Sequence, residues 1–327
     1  MRGLSGMAST LRMTTLAVII ARAGSKGLRN KSMQTLDGKP LVAWTIEHAL
    51  VCRRVDHVVL TTDGKDIAAV GQSYGIRVYE RPANMAGDTV TIDAAARHGA
   101  ACWEQEHDRA VDHVAIMYGN VCLRPDDLTD RALARLVESG ADSVQSVYPV
   151  GKMHPLWMRT LRGDRGGDRG GDGDDADHDV LEMYQPNRIF RRQDLPPTYM
   201  LDGGAIAVRR SSLFRVDPKE PHAFLGDDRR AIVTQAGEVV DIDSDLDLCL
   251  AEAILARRVE GRRREERRSD EGLRDRRLET IACGLPSSTA ERHGLLARQN
   301  RRPIHDPPSL RLFLRLFAPI ESSVQHP

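Results

Sequence analysis

Runs of consecutive apolar residues, each followed by a stretch of helical periodicity, fill the first half of the chain and restrict its architecture more than any other feature. TLAVIIAR (15–22), DHVVLTTD (56–63), IRVYERP (76–82), VDHVAIMYG (111–119) and ADSVQSVYPV (141–150) read as strands. The first has no polar alternation, which predicts a strand covered on both faces. Helices are expected over 40–52, with Pro40 in the first turn, and over 65–75, closed by Gly75. Two more are expected over 89–106 and over 125–140, the latter ending at Gly140. Parallel strands need crossover connections, so this rhythm predicts an α/β fold: a Rossmann-like, mostly parallel sheet with helices on both faces. Later, GAIAV (204–208) and EVVDID (238–243) add strand-like segments, the second running into a helix from LDLCL onward.

Ligands of such sheets bind beyond the carboxyl ends of the strands. That rule nominates the loop after the first strand, Asp63, Arg81 and Tyr118-Gly119-Asn120. The first of these, ARAGSKGLRNKS (21–32), packs Arg22, Lys26, Arg29 and Lys31 around Gly24 and Gly27. Glycines let backbone N–H groups approach an oxyanion, and Arg and Lys neutralise phosphate charge. The loop fits neither G-x-G-x-x-G nor G-x-x-x-x-G-K-[ST], because Asn30 stands where the latter needs glycine. By itself it reads equally as an anion grip or a basic turn. Asp241 and Asp243 lie two apart on a strand-like segment, where both carboxylates would share one face and reach one magnesium ion. An acidic surface turn is the competing reading, and Asp245 and Asp247 suit the start of the following helix. Cationic loop and acid pair together indicate phosphoryl or nucleotidyl transfer.

Other features narrow the choice. Lysine plus arginine equals aspartate plus glutamate at 47 each, so no overall field favours nucleic acid. The RRVEGRRREERR cluster (257–268) interleaves glutamate and reads as a salt-bridged helix. Five widely spaced cysteines suit neither a disulfide framework nor a zinc knuckle, and a reduced, cytoplasmic protein is expected. No apolar run approaches the ~20 residues of a membrane span. Residues 1–13 read as a disordered extension and 259–327 as a charged helical extension leading into a disordered tail, leaving 14–258 as the main domain. GDRGGDRGGDGDDADHD (163–179) reads as a flexible loop without the spacing of a calcium loop. Trp44 is expected in the core, His154 in a turn or against a sugar carboxylate, and Cys122 is not expected to act as a nucleophile.

IIARAGSKGLRNK…LDGKPLVAWTIEHAL, VVLTTD and YGIRVYERPANMAGDT resemble the nucleotide-binding half of the acylneuraminate cytidylyltransferases, the CMP-sialic acid synthetase family. HPLW (154–157), RRQDLPP (191–197), GGAIAV (203–208) and VDIDSDLDL (240–248) resemble its later blocks in order, so that the resemblance spans about 15–258. It implies a nucleotide-diphospho-sugar transferase-like sheet with a small dimerisation element at about 150–200, and hence a homodimer. It also implies magnesium-dependent transfer of CMP from CTP to the anomeric hydroxyl of a 3-deoxy-2-keto sugar acid, releasing pyrophosphate. Arg22, Ala23, Gly24, Ser25, Lys26 and Lys31 match the triphosphate-binding segment, and Arg81 matches the arginine that helps hold cytidine. Asp241 and Asp243 match the metal aspartates. Tyr118, Asn120, Arg192 and Gln193 fall on the sugar side. Arg22 and Lys26 become catalytic candidates as charge-neutralising groups, and Asp243, through a bound water, as the base. The chain departs from the family at Ser32, at Tyr118-Gly119-Asn120-Val121-Cys122-Leu123-Arg124 in place of Q-P-T-S-P-L-R, and at Gly203-Gly204 in place of asparagine-glycine. A different sugar or nucleotide, or a catalytically silent scaffold, are the alternative readings.

Overall fold

The computed structural model of the chain describes residues 13–24, 28–87, 90–161, 180–261 and 263–264. The readings placed on the 1–12 extension, on Ser25 and Lys26, on the 163–179 loop and on the tail after 264 lie outside the described residues. In chain order the strands are β1 (Thr15–Ile20), the hairpin β2 (Thr35–Leu36) and β3 (Lys39–Pro40), β4 (His57–Thr62), β5 (Arg77–Glu80), β6 (His113–Tyr118) and β7 (Val121–Leu123). They continue with β8 (Ser143–Pro149), β9 (Arg159–Leu161), β10 (Leu181–Met183), β11 (Tyr199–Arg209), β12 (Arg229–Val233) and β13 (Val240–Asp241). The helices are α1 (Leu41–Val51), α2 (Lys65–Ser73), α3 (Ile92–His107), α4 (Leu128–Ser139), the short α5 (Arg210–Leu213) and α6 (245–261).

Seven strands form one sheet in the order β12-β8-β11-β6-β1-β4-β5. β5, β4, β1 and β6 run parallel, as the crossover rhythm requires. β11 is the exception: it lies between β6 and β8 and runs antiparallel to both, while β12 is parallel to β8. The reversed strand is the GAIAV segment, extended back to Tyr199.

β1 is apolar throughout because each face of it meets a helix layer. Leu16, Val18 and Ile20 point into a cluster with Ala96, Ala100 and Trp103 of α3. Ala17 and Ile19 point the other way, against Val42, Ile46 and Ala49 of α1 and Ile67 of α2. α3 approaches β1 so closely that a Cβ on Gly99 would stand 2.7 Å from Val18 Cγ1. Trp44 is half-buried, donating from Nε1 to Leu36 O (3.2 Å) with Lys39 Nζ 4.2 Å from its ring centroid. Among the described residues, no helix is long and apolar enough to cross a membrane.

Candidate active site

One short excursion of the chain builds the centre of the site. After β6, Gly119-Asn120 turns the chain out of the main sheet, and β7 pairs with β13 through Val240↔Leu123 and Asp241↔Val121. The acid segment, more than a hundred residues later in sequence, is thereby carried to the tip of β6. Asn120 fixes the junction: its Nδ2 donates to Asp241 Oδ1 and to Ile242 O (3.1 Å), and Ile242 N donates to Asn120 O (3.2 Å). The sequence places Asn120 on the sugar side; in the structure its amide is committed to an aspartate.

The two aspartates do not share a strand. β13 ends at Asp241, which is half-buried, and Asp243 lies beyond it with a 67% exposed side chain. The chain bends there because Ser244 and Asp247 cap α6. Asp247 Oδ2 accepts from Asp243 N (3.1 Å) and Ser244 N (2.9 Å), and Asp247 N donates to Ser244 Oγ (3.4 Å), a reciprocal capping pair. The carboxylates remain close enough to interact: burial, then the charge of Asp243, push the Asp241 pKa up to about 6, against the pull of Lys31 and Arg124. Lys31 Nζ lies 2.5 Å from Asp243 Oδ1, which joins the cationic segment to the acid pair directly. Among the described residues no cluster of three or more His, Cys, Asp or Glu could hold a metal. Two hard carboxylates, each already facing a cation or an amide donor, nevertheless fit magnesium, which takes one or two carboxylates plus substrate phosphates.

Two cavities meet at this point. The smaller, about 330 Å³, is lined by Arg22, Lys31, Ser32, Arg81, Thr91 and Asn120 among others. The larger, about 540 Å³, has Gln145, Tyr148, Leu201, Phe224, Leu225 and Gln235 in its wall. Ile92, Tyr118 and Asp241 belong to both. Among the described residues, lysine and arginine line only the smaller cavity. Tyr118, whose hydroxyl pKa burial and then Asp241 push up to about 12, stays neutral as a wall between them. Its ring lies over Gly203, where an added Cβ would stand 3.1 Å from Tyr118 Cδ2.

Arg81 is held at the floor of the smaller cavity with only 5% of its side chain exposed. Its Nη2 donates to Ala21 O and lies 3.5 Å from Asp63 Oδ1, and its Nε has no partner among the described residues. Burial lowers its pKa, opposed by Asp63. Gly24 adopts φ +72°, which glycine takes without strain, and Ala23 N donates to Asp63 Oδ1 (2.9 Å). Arg22, Lys31, Arg81, Tyr118, Asn120, Asp241 and Asp243 are thus brought together, with Ala23 and Gly24 at the mouth of the loop.

Arg192 and Gln193 line neither cavity; they are exposed on a single 3-10 turn, Arg192–Asp194. His154 is buried and fully used in its turn: Nδ1 accepts from Leu156 N (3.1 Å), and Nε2 faces Pro196 O (3.1 Å) and Thr198 Oγ1 (2.7 Å). The structure therefore gives it the turn role. Cys122 is buried and its thiol pKa is pushed up to about 12, chiefly by burial, so it is inert. Sequence reasoning missed the larger cavity's wall, supplied by elements scattered from Ile92 to Leu250, and the buried Arg124 beside Asp241.

The profile of the family described as Cytidylyltransferase matches residues 16–217. The CMP-N,N'-diacetyllegionaminic acid synthase of Legionella pneumophila is 28% identical over 256 residues, covering 74% of this chain and 97% of that protein. The N-acylneuraminate cytidylyltransferase of an Escherichia coli strain is 39% identical over 93 residues, 28% of this chain and 22% of that longer protein. The pseudaminic acid cytidylyltransferase of Campylobacter jejuni is 30% identical over 128 residues, 39% of this chain and 55% of that protein. In fold, the chain resembles CMP:2-keto-3-deoxy-manno-octonic acid synthetase solved with CTP, with a TM-score of 0.52 at 17% identity over 75% of this chain and 99% of the other. The match through the strands and helices that carry the basic loop, Arg81 and the β6 tip makes this chain a member of the cytidylyltransferases, in the acylneuraminate family that its motifs resemble.

Proposed function

We propose that the protein transfers CMP from CTP to the anomeric hydroxyl of a sialic-acid-like 3-deoxy-2-keto sugar acid, releasing pyrophosphate. The observation that carries this is the pair of cavities of unlike chemistry meeting at Asp241. The cationic one suits a triphosphate. The larger one, with two primary amides and an apolar wall, suits a sugar bearing acylamino groups, in keeping with the acylated sugar acids named for the relatives.

In this reading Arg22 and Lys31 bind the triphosphate, with Ser25 and Lys26 of the same loop, and Arg81 faces the pyrimidine. Tyr118 and Ile92 keep the two ligands in register at the shared wall. Asp241 and Asp243 would hold magnesium, which would supply positive charge against the pyrophosphate as it departs. Lys31, paired with Asp243 in the free protein, is positioned to turn toward phosphate oxygens once that carboxylate has another cation to face. Asp243, exposed at the junction, is the candidate to relieve the attacking hydroxyl of its proton through a water. Catalysis is then mainly positioning and charge neutralisation.

A homodimer in the cytoplasm belongs to the same proposal. The 150–200 segment presents Met153, Met158, Leu161, Leu181, Met183 and a 90% exposed Phe190, apolar surface that a second copy would cover. The test is pyrophosphate release from CTP with magnesium and a panel of keto-sugar acids. Turnover is expected with CTP and an acylated sugar acid, and Asp241→Ala and Asp243→Ala should abolish it. Full activity in Asp243→Ala would remove the metal assignment. Nucleotide binding without turnover on any acceptor would favour the silent scaffold.

A further inference from the structure

Asp63 contacts both the start of the basic loop and the arginine under the smaller cavity. It follows the last residue of β4, and its Oδ1 accepts from Ala23 N at 2.9 Å, just past β1. The same oxygen lies 3.5 Å from Arg81 Nη2, just past β5. The backbone repeats the stitch, with Ala21 N donating to Thr61 O (3.2 Å) and Arg81 N donating to Thr62 O (2.8 Å). With 13% of its side chain exposed, Asp63 is screened from water, so its contacts hold these groups more firmly than a surface pair would. No lining residue of either cavity is Asp63 itself. It therefore acts through others.

We propose that Asp63 is a positioning residue that sets nucleotide choice, coupling the orientation of Arg81 to that of the triphosphate loop. This rests on the reading of the smaller cavity as the nucleotide site. Arg81 lines the smaller cavity, and with Nη2 turned toward Ala21 O and Asp63 its guanidinium keeps further N–H donors of the fork for a ligand edge. Cytosine presents two adjacent acceptors, O2 and N3, whereas uracil carries a hydrogen on N3 and would set donor against donor. A guanidinium fixed by a carboxylate discriminates between these edges, and one free to swing does not. The contact to Ala23 N extends the same anchor to the loop that carries Arg22.

The two contacts can be separated. Asp63→Asn keeps an oxygen to accept from Ala23 N but removes the charge that holds Arg81; Asp63→Ala removes both. Affinities of the full-length variants for CTP, UTP and inorganic tripolyphosphate, each with magnesium, are measured by calorimetry, with circular dichroism confirming the fold. Asp63→Asn is expected to lose about tenfold or more of the preference for CTP over UTP, the size of one charge-assisted hydrogen bond, with tripolyphosphate binding unchanged. Asp63→Ala is expected to weaken tripolyphosphate as well, and Asp63→Glu to recover part of the CTP preference. A purely structural role would weaken all three ligands together in Asp63→Asn. That result, or an undiminished CTP preference in a folded Asp63→Asn protein, overturns the inference alone. A wild-type protein that binds no CTP overturns the functional reading and this inference with it.

Discussion

Replacing Arg124 with methionine should make the protein more stable. Arg124 is 4% exposed and directly follows β7. Its Nη2 donates to Val121 O (2.6 Å) and reaches Thr45 Oγ1 at 3.4 Å, while Nε and Nη1 have no partner among the described residues. Cys52 and Cys122 beside it carry thiols with pKa values pushed up to about 11 and about 12, so both are neutral at pH 7 and offer no compensating charge. Burial pulls the guanidinium itself down to about 10 from 12.5, a penalty on the charged form of about 3 kcal/mol. Two orphaned donors cost roughly 1–3 kcal/mol each, whereas the single good bond returns about 1–1.5. Methionine is unbranched, of similar length and without polar atoms, and apolar replacement of buried charges stabilises by roughly 1–4 kcal/mol. Arg124→Met should thus gain about 2 kcal/mol in urea denaturation and raise Tm by about 4–8 °C. Removing the cation also lets the Asp241 pKa rise, so the acid limb of activity should move to higher pH. A loss of more than about 1 kcal/mol would refute the reasoning, because the two nitrogens would then have to be satisfied.

Three further outcomes follow from named contacts. His48, half-buried with Nε2 2.9 Å from Thr129 Oγ1, has its pKa lowered to about 3 by burial and then by Arg124. The unfolded chain binds this proton near 6.5, so stability should fall as pH drops from about 6.5 toward 3, by about 2 kcal/mol at pH 5; an equal slope in His48→Gln would assign the loss elsewhere. Asp202 accepts from Ser146 Oγ, Gly204 N (2.9 Å) and Thr234 Oγ1 (2.6 Å), so Asp202→Ala should cost about 3–5 kcal/mol in urea denaturation, and a cost below about 1 would deny it that role. Gly99→Val should destabilise by at least ~1–3 kcal/mol through overlap with Val18, and an unchanged Tm would show that α3 can move off β1.

The left half of the sheet was legible because its signals are local. A β1 of six buried residues, a proline opening α1 and glycines at φ +72° and +69° after α2 and α4 each declare their element within a few positions. The basic loop and the acid pair were legible as residue types and positions. Their geometry was not, because it depends on β7 meeting β13, a pairing of three-residue and two-residue strands too short to leave a pattern. The bond between the Asn120 amide and Asp241 was hidden for the same reason: nothing near either residue in sequence tells that the two will meet. The expectation of two aspartates on one strand missed the Ser244-x-x-Asp247 capping pair, which ends the extended chain after Asp241. The larger cavity's wall comes from α3, β6, β8, β11 and the 222–250 region, and no spacing rule connects them.

The reversed strand has a consequence for how the protein is made. β1, β4, β5 and β6 can pair in the order in which they leave the ribosome, but β8 cannot join them, since its place beside β6 is taken by β11, which is synthesised later. Until residues 199–209 arrive, β6 presents an open edge carrying Val114, Ala115 and Ile116, and β8 waits unpaired, since its other neighbour, β12, is made later still. Closing so distant a gap late delays maturation and leaves a nascent chain exposed to strand exchange with its neighbours on a polysome. A break placed between β8 and β11 would therefore yield an amino-terminal fragment with an unfinished edge, whereas the same break after β12 would not.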